Sequence, residues 1–145
     1  MIDIHLHCLP GLDDGPGTID EAAAICRLAA ADGSDTLIAT PHQRVGSWWN
    51  CDPGRLEALR RELQRRVGAT PRILLGAEVR IDRDLIEDLD SDDQGGILTL
   101  AGTDYVLLEY SRSGPFVDAE DLVHELTLQG RRPVFAHPEF TPGLG

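Results

Sequence analysis

Short apolar runs recur along the chain with the length and composition of buried β-strands, and segments with helical features separate them. The strand-like runs lie at 1–7, 35–40, 72–80, 104–109 and 133–138. Helical spacing or capping residues predict helices that begin after Thr18 and after Asp52 and that cover 82–93 and 118–129. Strands alternating with helices predict an α/β fold with parallel strands, as a layered sheet or a barrel, in a single domain over 1–145.

Capping residues place two of the helix starts. Thr18 is followed three residues later by Glu21, which is the pattern of a capping box, and Gly33 is the expected end of that helix. Asp52 followed by Pro53 is an N-cap with proline in the first turn. These signals fix where the first two helices begin.

A residue type that binds metal ions stands at the carboxyl end of every predicted strand. His5 and His7 end the first strand, and they project from one face because residues two apart in a strand point the same way. The remaining strands end, in order, at His42, Glu78, Glu109 and His137. The carboxyl ends of parallel strands form one rim, where α/β folds build their active sites. A single histidine or glutamate at a strand end is common in any protein. Its occurrence at the ends of all five predicted strands predicts a metal site.

The types of the candidate ligands indicate which metals could bind and which reaction they could support. Mixed imidazole and carboxylate ligands suit Mn, Fe or Zn better than Ca or Mg. Two glutamates that can each bridge two ions indicate more than one metal. Clustered metals are a common device for hydrolysing phosphate esters, because they bind the phosphoryl oxygens and activate a hydroxide.

Composition excludes several classes of function. The net charge of −12 argues against nucleic acid or an anionic membrane as a partner. All 13 basic residues are arginine, which excludes a Schiff-base or Walker lysine. The three cysteines form no C-x-x-C pair, and the segment from Cys51 to Arg55 is too short for the phosphate loop of a thiol phosphatase. No signal peptide or membrane-spanning run is present, so we expect a cytoplasmic protein without membrane insertion.

Several segments together resemble one family pattern from residue 1 to about residue 139. They are Met1-Ile2-Asp3-Ile4-His5-Leu6-His7, Leu9-Pro10-Gly11-Leu12-Asp13-Asp14-Gly15-Pro16, Ala39-Thr40-Pro41-His42, Gly76-Ala77-Glu78-Val79, Leu108-Glu109 and Ala136-His137-Pro138-Glu139. The chain resembles the polymerase-and-histidinol-phosphatase (PHP) superfamily and, within it, the bacterial metal-dependent tyrosine phosphatases of capsular and exopolysaccharide synthesis. The His-x-His start is shared by the superfamily, whereas the segment at 9–16 is typical of the tyrosine phosphatases.

The resemblance implies a PHP-type distorted seven-stranded (β/α) barrel, of which this chain holds about the first five β/α units. It implies two to three divalent ions, usually Mn, with Fe, Zn or Co as alternatives. The implied ligands are His5, His7, His42, Glu78, Glu109 and His137. The implied nucleophile is a metal-bridging hydroxide, and the implied substrate is the phosphotyrosine tail of the bacterial tyrosine kinase that controls polysaccharide export.

The acid that protonates the leaving tyrosinate is not given by the resemblance. Asp13 and Asp14 are candidates because they lie on the acidic loop beside the His-x-His strand. Their alternative role is structural, as turn and helix-entry residues.

The chain departs from the family pattern at its far end. Family members are longer and carry an Asp-x-His motif late in the barrel, whereas this sequence has none after His137. The family arginine that helps to bind phosphate follows His-Pro-Glu, and here Phe140 takes that place. We therefore expect a C-terminally truncated chain, as a fragment, as a natural truncation, or as a homo-oligomer in which another subunit completes the barrel wall.

Three other functions remain open at this stage. The same site could act on a small phosphomonoester such as histidinol phosphate. The chain could also be a catalytically impaired remnant that binds metal or a kinase without turnover. A nuclease is disfavoured because an acidic surface repels a polyanion.

Overall fold

The computed structural model describes residues 1–82, 84–91, 96–111 and 118–140, and the statements that follow refer to those residues. It contains seven strands, β1 (Ile2–Leu6), β2 (Thr36–Ala39), β3 (His42–Gln43), β4 (Arg72–Leu75), β5 (Glu78–Arg80), β6 (Tyr105–Glu109) and β7 (Arg132–Phe135). It contains four α-helices, α1 (Ile19–Ala31), α2 (Pro53–Val67), α3 (Leu85–Asp90) and α4 (Ala119–Leu128). The end of the helix predicted over 82–93 lies outside the described ranges.

All pairings between these strands are parallel, as the alternation of strands and helices predicts. One sheet has the order β1-β2-β4 and the other has the order β3-β5-β6-β7. The α/β prediction with parallel strands is therefore confirmed.

The chain bends twice as it passes from one sheet to the other, between β2 and β3, just beyond the strand predicted at 35–40, and between β4 and β5, inside the strand predicted at 72–80. The first bend falls at Thr40-Pro41, where proline has no N–H to continue the ladder. The second falls at Gly76, where an added Cβ would lie 2.9 Å from Cγ2 of Ile38. Hydrogen bonds span both bends, from the Gly76 N–H to the Ala39 carbonyl at 2.9 Å and from the Glu78 N–H to the Pro41 carbonyl at 3.1 Å. His42 and Glu78 are thus the first residues after the bends.

The helix starts agree with the capping residues. The Thr18 hydroxyl accepts from the Glu21 N–H at 3.3 Å, and the Glu21 carboxylate accepts from the Thr18 N–H at 3.0 Å. The Asp52 carboxylate caps α2 through the Arg55 N–H at 3.0 Å. In the part of the chain that the structure covers, no helix is both long enough and apolar enough to cross a bilayer.

Two apolar clusters hold the helices onto the sheets. The first joins Leu37 and Ile73 of the three-stranded sheet to small residues of α1 and to Leu56 and Leu63 of α2. Ala22, Ala23 and Cys26 are fully buried there, since small side chains let α1 approach the strands closely. The second cluster joins Val79, Val106 and Leu108 to apolar residues of α3 and α4. Because the helices pack against the sheets in this way, the positions of the histidines and glutamates near the strand ends are fixed by the core.

Candidate metal centre

The predicted strand-end residues meet in one cleft of about 520 Å³ at the bend between the two sheets. Its lining includes all six predicted ligands, which are His5, His7, His42, Glu78, Glu109 and His137. Four of these residues lie at the carboxyl ends of β1, β6 and β7, and they are His5, His7, Glu109 and His137. His42 and Glu78 are instead the first residues of β3 and β5, directly after the chain bends.

Glu78 lies at the middle of this cleft, with its side chain 1% exposed. Oε1 accepts from Nε2 of His137 at 2.7 Å. Oε2 lies 3.0 Å from Nε2 of His7, 3.2 Å from Nε2 of His5 and 3.3 Å from Nδ1 of His42. Burial alone would raise the pKa of Glu78, but the hydrogen bonds from His5 and His7 outweigh it and hold that pKa far below its usual range. The carboxylate therefore stays ionised.

Asp13 orients two of the histidines from behind. Its buried carboxylate lies 3.0 Å from Nδ1 of His7 and accepts from the backbone N–H of His42 at 2.8 Å and of Gly15 at 3.0 Å. Burial of His7 disfavours its charged form, yet the hydrogen bonds to Asp13 and Glu78 together raise the pKa of His7 to about 10. A carboxylate on the far nitrogen of an imidazole is the usual support for a metal-binding histidine.

His42 supplies a direct test of whether the site fits a metal ion. Its Nδ1 is buried and makes no hydrogen bond of acceptable geometry with any described residue, although Oε1 of Glu109 lies only 3.0 Å away. A nitrogen held beside two carboxylates without a hydrogen bond suits a ligand that faces a cation between them. Among the described residues, His42, Glu78 and Glu109 form one group able to hold an ion, and His5, His7 and Glu78 form another. The donor set therefore fits divalent metals, with Glu78 shared by both groups.

His137 reaches Glu78 from a strained backbone. It stands two residues after the end of β7 and has a φ of +32°, in the left-handed region that residues with a Cβ rarely adopt. Backbone strain of this kind persists where the surrounding structure demands it and is common at functional sites. Here it accompanies the 2.7 Å contact to the central carboxylate.

Asp14 differs from its neighbour in lying at the mouth of the cleft. Its side chain is 62% exposed, and Oδ1 lies 3.4 Å from Nδ1 of His7 and 3.7 Å from Nε2 of His42. These three residues form a further group whose atoms could hold an ion. The two aspartates proposed as acids are thus one buried and one accessible carboxylate.

Three residues of the cleft region were not singled out as site residues from the sequence. Trp48 stacks on His42 with ring centroids 5.4 Å apart and an angle of 8°. Arg80 lines the cleft and donates to Oε1 of Glu109 at 3.0 Å. Arg44 is buried beside the cleft, where it pairs with Asp82 and Asp88. Trp48 stands next to Trp49 in the sequence, which by itself assigns it no role, and the arginine contacts span more than 25 residues and leave no local pattern.

These features define a parallel α/β domain whose cleft fits divalent metal ions. The family model described as "Capsular polysaccharide synthesis, CpsB/CapC" matches residues 1–141. The chain belongs to this family.

Individual proteins similar to this chain are tyrosine-protein phosphatases. The chain is 36% identical over 142 residues to the tyrosine-protein phosphatase YwqE of Bacillus subtilis and 30% identical over 141 residues to the tyrosine-protein phosphatase CpsB of Streptococcus pneumoniae. A crystal structure from work on YwqE and CpsB, described as metal-dependent tyrosine phosphatases, superimposes with a TM-score of 0.85 at 34% identity over 97% of this chain.

The match covers only part of those proteins. The chain is aligned over 96% of its own length but spans 54% of YwqE and 57% of CpsB. It likewise covers 56% of the superimposed crystallographic chain.

Proposed function

We propose that this chain forms the metal-binding part of a PHP-type, metal-dependent protein-tyrosine phosphatase. The observation that carries the proposal is the convergence of four imidazoles on the buried Glu78 carboxylate, with Glu109 beside His42. The family membership and the metal-dependent relative support it.

His5, His7 and Glu78 would hold one ion, and His42, Glu78 and Glu109 a second. His137 contacts the other oxygen of Glu78, and we propose two to three ions in all, with Mn as the preferred metal. Bound divalent ions supply Lewis acidity toward the phosphoryl oxygens and a hydroxide nucleophile at neutral pH.

The chain's own residues would orient the reaction and move the proton. Asp13 fixes the ring of His7 so that Nε2 faces Glu78. When a hydroxide forms its bond to phosphorus, the bond between phosphorus and the tyrosine oxygen breaks, and the tyrosinate must take up a proton. Asp14, exposed at the mouth of the cleft, is the proposed donor of that proton.

Trp48 favours an aryl phosphate as the substrate. Its ring lies parallel to His42 on one wall of the cleft, where a phosphotyrosine ring can pack against apolar and aromatic surface. A phosphomonoester without an aromatic ring would leave that wall unused.

The wider setting follows from the family. We propose that the substrate is the phosphotyrosine tail of a bacterial tyrosine kinase that regulates capsular or exopolysaccharide synthesis. A cytoplasmic location is proposed with it, and the free thiols of Cys8 and Cys26, which are buried in the core, agree with a reducing compartment.

The proposed fold is a distorted seven-stranded (β/α) barrel, to which the five strand segments found by sequence would contribute about the first five β/α units. Its support is that backbone hydrogen bonds continue the β2–β4 ladder to Gly76 and extend the β3–β5 ladder back to Pro41, so that the paired segments stay together through the bends.

The test is hydrolysis of a phosphotyrosine peptide by this 145-residue chain with and without Mn. We expect Mn-dependent turnover that disappears in the His5→Ala, His7→Ala double variant and persists in His124→Ala, which changes an exposed histidine of α4. Circular dichroism and metal content are measured on the same samples. Folded, metal-loaded chain without turnover would contradict the proposal and leave a metal-binding remnant, and faster hydrolysis of histidinol phosphate would favour the small-ester alternative.

A further inference from the structure

Arg80 is a positively charged residue in the wall of the cleft. It is the last residue of β5, two positions after Glu78, so both side chains point from the same face of the strand. Its side chain is 24% exposed, and it lines the cleft together with the predicted ligands.

The guanidinium group of Arg80 is only partly hydrogen-bonded. Nη2 donates to Oε1 of Glu109 at 3.0 Å. Nε is buried and has no hydrogen-bond partner among the residues that the structure describes. A guanidinium carries five N–H donors, and a buried donor without an acceptor is costly. The unpaired N–H group at Nε of Arg80 therefore indicates that an acceptor is missing beside this guanidinium group.

Arg80 is the one arginine among the described residues that line the cleft. Among the described lining residues, the permanently charged side chains are the carboxylates of Asp14, Glu78 and Glu109 and the single guanidinium of Arg80. Arg44 is not an equivalent, because it does not line the cleft and its side chain, 2% exposed, is held by Asp82 and Asp88. Phe140, which also lines the cleft, adds no charge.

We propose that Arg80 binds the phosphoryl group of the substrate, an inference that rests on the proposed phosphatase function. The exposed part of the guanidinium donates to the phosphoryl oxygens, and Nε gains an acceptor when the group turns toward them, while Nη2 stays on Glu109. Arginine suits this role because its planar donors match two phosphoryl oxygens at once. The positive charge also offsets the charge that spreads over these oxygens in the transition state.

The test compares Arg80→Gln and Arg80→Lys with Arg66→Gln in the full 145-residue chain loaded with Mn. Arg66 is a matched control, because it pairs with one carboxylate, Asp20, on an exposed surface outside the cleft and its replacement changes the net charge equally. Affinity for inorganic phosphate is measured by titration calorimetry, metal content by mass spectrometry, and kcat and KM on the phosphotyrosine peptide.

We expect Arg80→Gln to weaken phosphate binding about 10- to 100-fold with unchanged metal content, as loss of a hydrogen bond between charged groups implies. Arg80→Lys, which keeps the charge, should recover part of that affinity, and Arg66→Gln should match the parent chain. Phosphate affinity within about twofold of the control would overturn the proposal, as would a parent chain that does not bind phosphate. Loss of metal in parallel with phosphate would also overturn it, because Arg80 would then act only by positioning Glu109. Arg80-dependent phosphate binding without turnover of the peptide would leave this inference standing and remove the tyrosine-phosphatase proposal.

Discussion

Asp13 and Asp14 are neighbours in sequence, yet their surroundings give them opposite properties. Asp13 is buried and accepts from two backbone N–H groups beside its contact to His7, and these bonds hold its pKa low although burial opposes this. A carboxylate in that state positions other groups and does not release a proton. Asp14 is exposed and faces the cleft, so an approaching substrate can reach it.

Asp14→Asn should therefore slow hydrolysis of phosphotyrosine more than hydrolysis of the phosphate ester of a more acidic phenol. A general acid matters most for a poor leaving group, and its loss typically costs about 10²- to 10⁴-fold. The measurement is kcat for phosphotyrosine and for 4-nitrophenyl phosphate in parent and variant. Equal losses on both esters, accompanied by lower metal content, would identify Asp14 as a ligand and not as the acid.

Asp13→Asn should lower the affinity for Mn about 10- to 100-fold, which is the usual cost of removing a carboxylate that supports a metal-binding histidine. The asparagine side chain is the same size, so the loss reflects the altered support of His7 and of the His42 backbone. Competition with a coloured chelator gives the affinity. Asp32→Asn, on an exposed residue after α1, is the control, and equal affinity in the two variants would exclude the positioning role.

At the scale of elements, the loop between β1 and α1 links the His-x-His strand to the rest of the site. The Gly11 N–H donates to the Pro16 carbonyl at 2.9 Å, which closes the loop, and Gly11 adopts a φ of +67°. Gly15 lies against β1's end, where an added Cβ would be 2.8 Å from the His7 carbonyl oxygen and 3.0 Å from Oδ1 of Asp13. The tight approach lets Asp13 reach His7.

Gly15→Ala should therefore destabilise the chain by about 1–3 kcal/mol and weaken Mn binding, because the new methyl group displaces His7 or Asp13. Gly17→Ala is the matched control, since its Cβ would meet only the flexible Glu21 side chain at 3.5 Å. Urea unfolding and chelator competition are measured on both. If both variants lose the same stability and affinity, the close approach at Gly15 is not what positions the site.

The positions of the strands and helices could be predicted from the sequence, whereas the bends between the two sheets could not. Hydrophobic runs and capping residues locate the strands and helices because these signals are local. The bends that separate β2 from β3 and β4 from β5 depend on Gly76 packing against Ile38 and on hydrogen bonds between distant segments, which no local pattern carries. In the same way, strand ends identify the six ligand candidates, whereas the Arg80–Glu109 and Arg44–Asp82 contacts become visible only in three dimensions.

On the scale of the whole molecule, β1 is an edge strand with exposed apolar side chains. In the part of the chain that the structure describes, it pairs only with β2. Ile2 is 61% exposed and Ile4 is 43% exposed on this edge. An open strand edge with exposed apolar residues is a surface for pairing with another chain, although the net charge of −12 repels a second copy.

The 145-residue chain should therefore self-associate through the β1 edge, and more strongly at high salt, because salt screens the mutual repulsion of two acidic chains. Ile4→Lys should raise the dimer dissociation constant at least about tenfold, since each isoleucine buried at such an interface contributes about 1.5–3 kcal/mol. Sedimentation equilibrium at several protein and salt concentrations measures this constant. Leu128→Lys changes an equally apolar residue on α4, 69% exposed, and should leave association unchanged. If Leu128→Lys weakens association as much as Ile4→Lys does, the contact is non-specific and does not involve the strand edge.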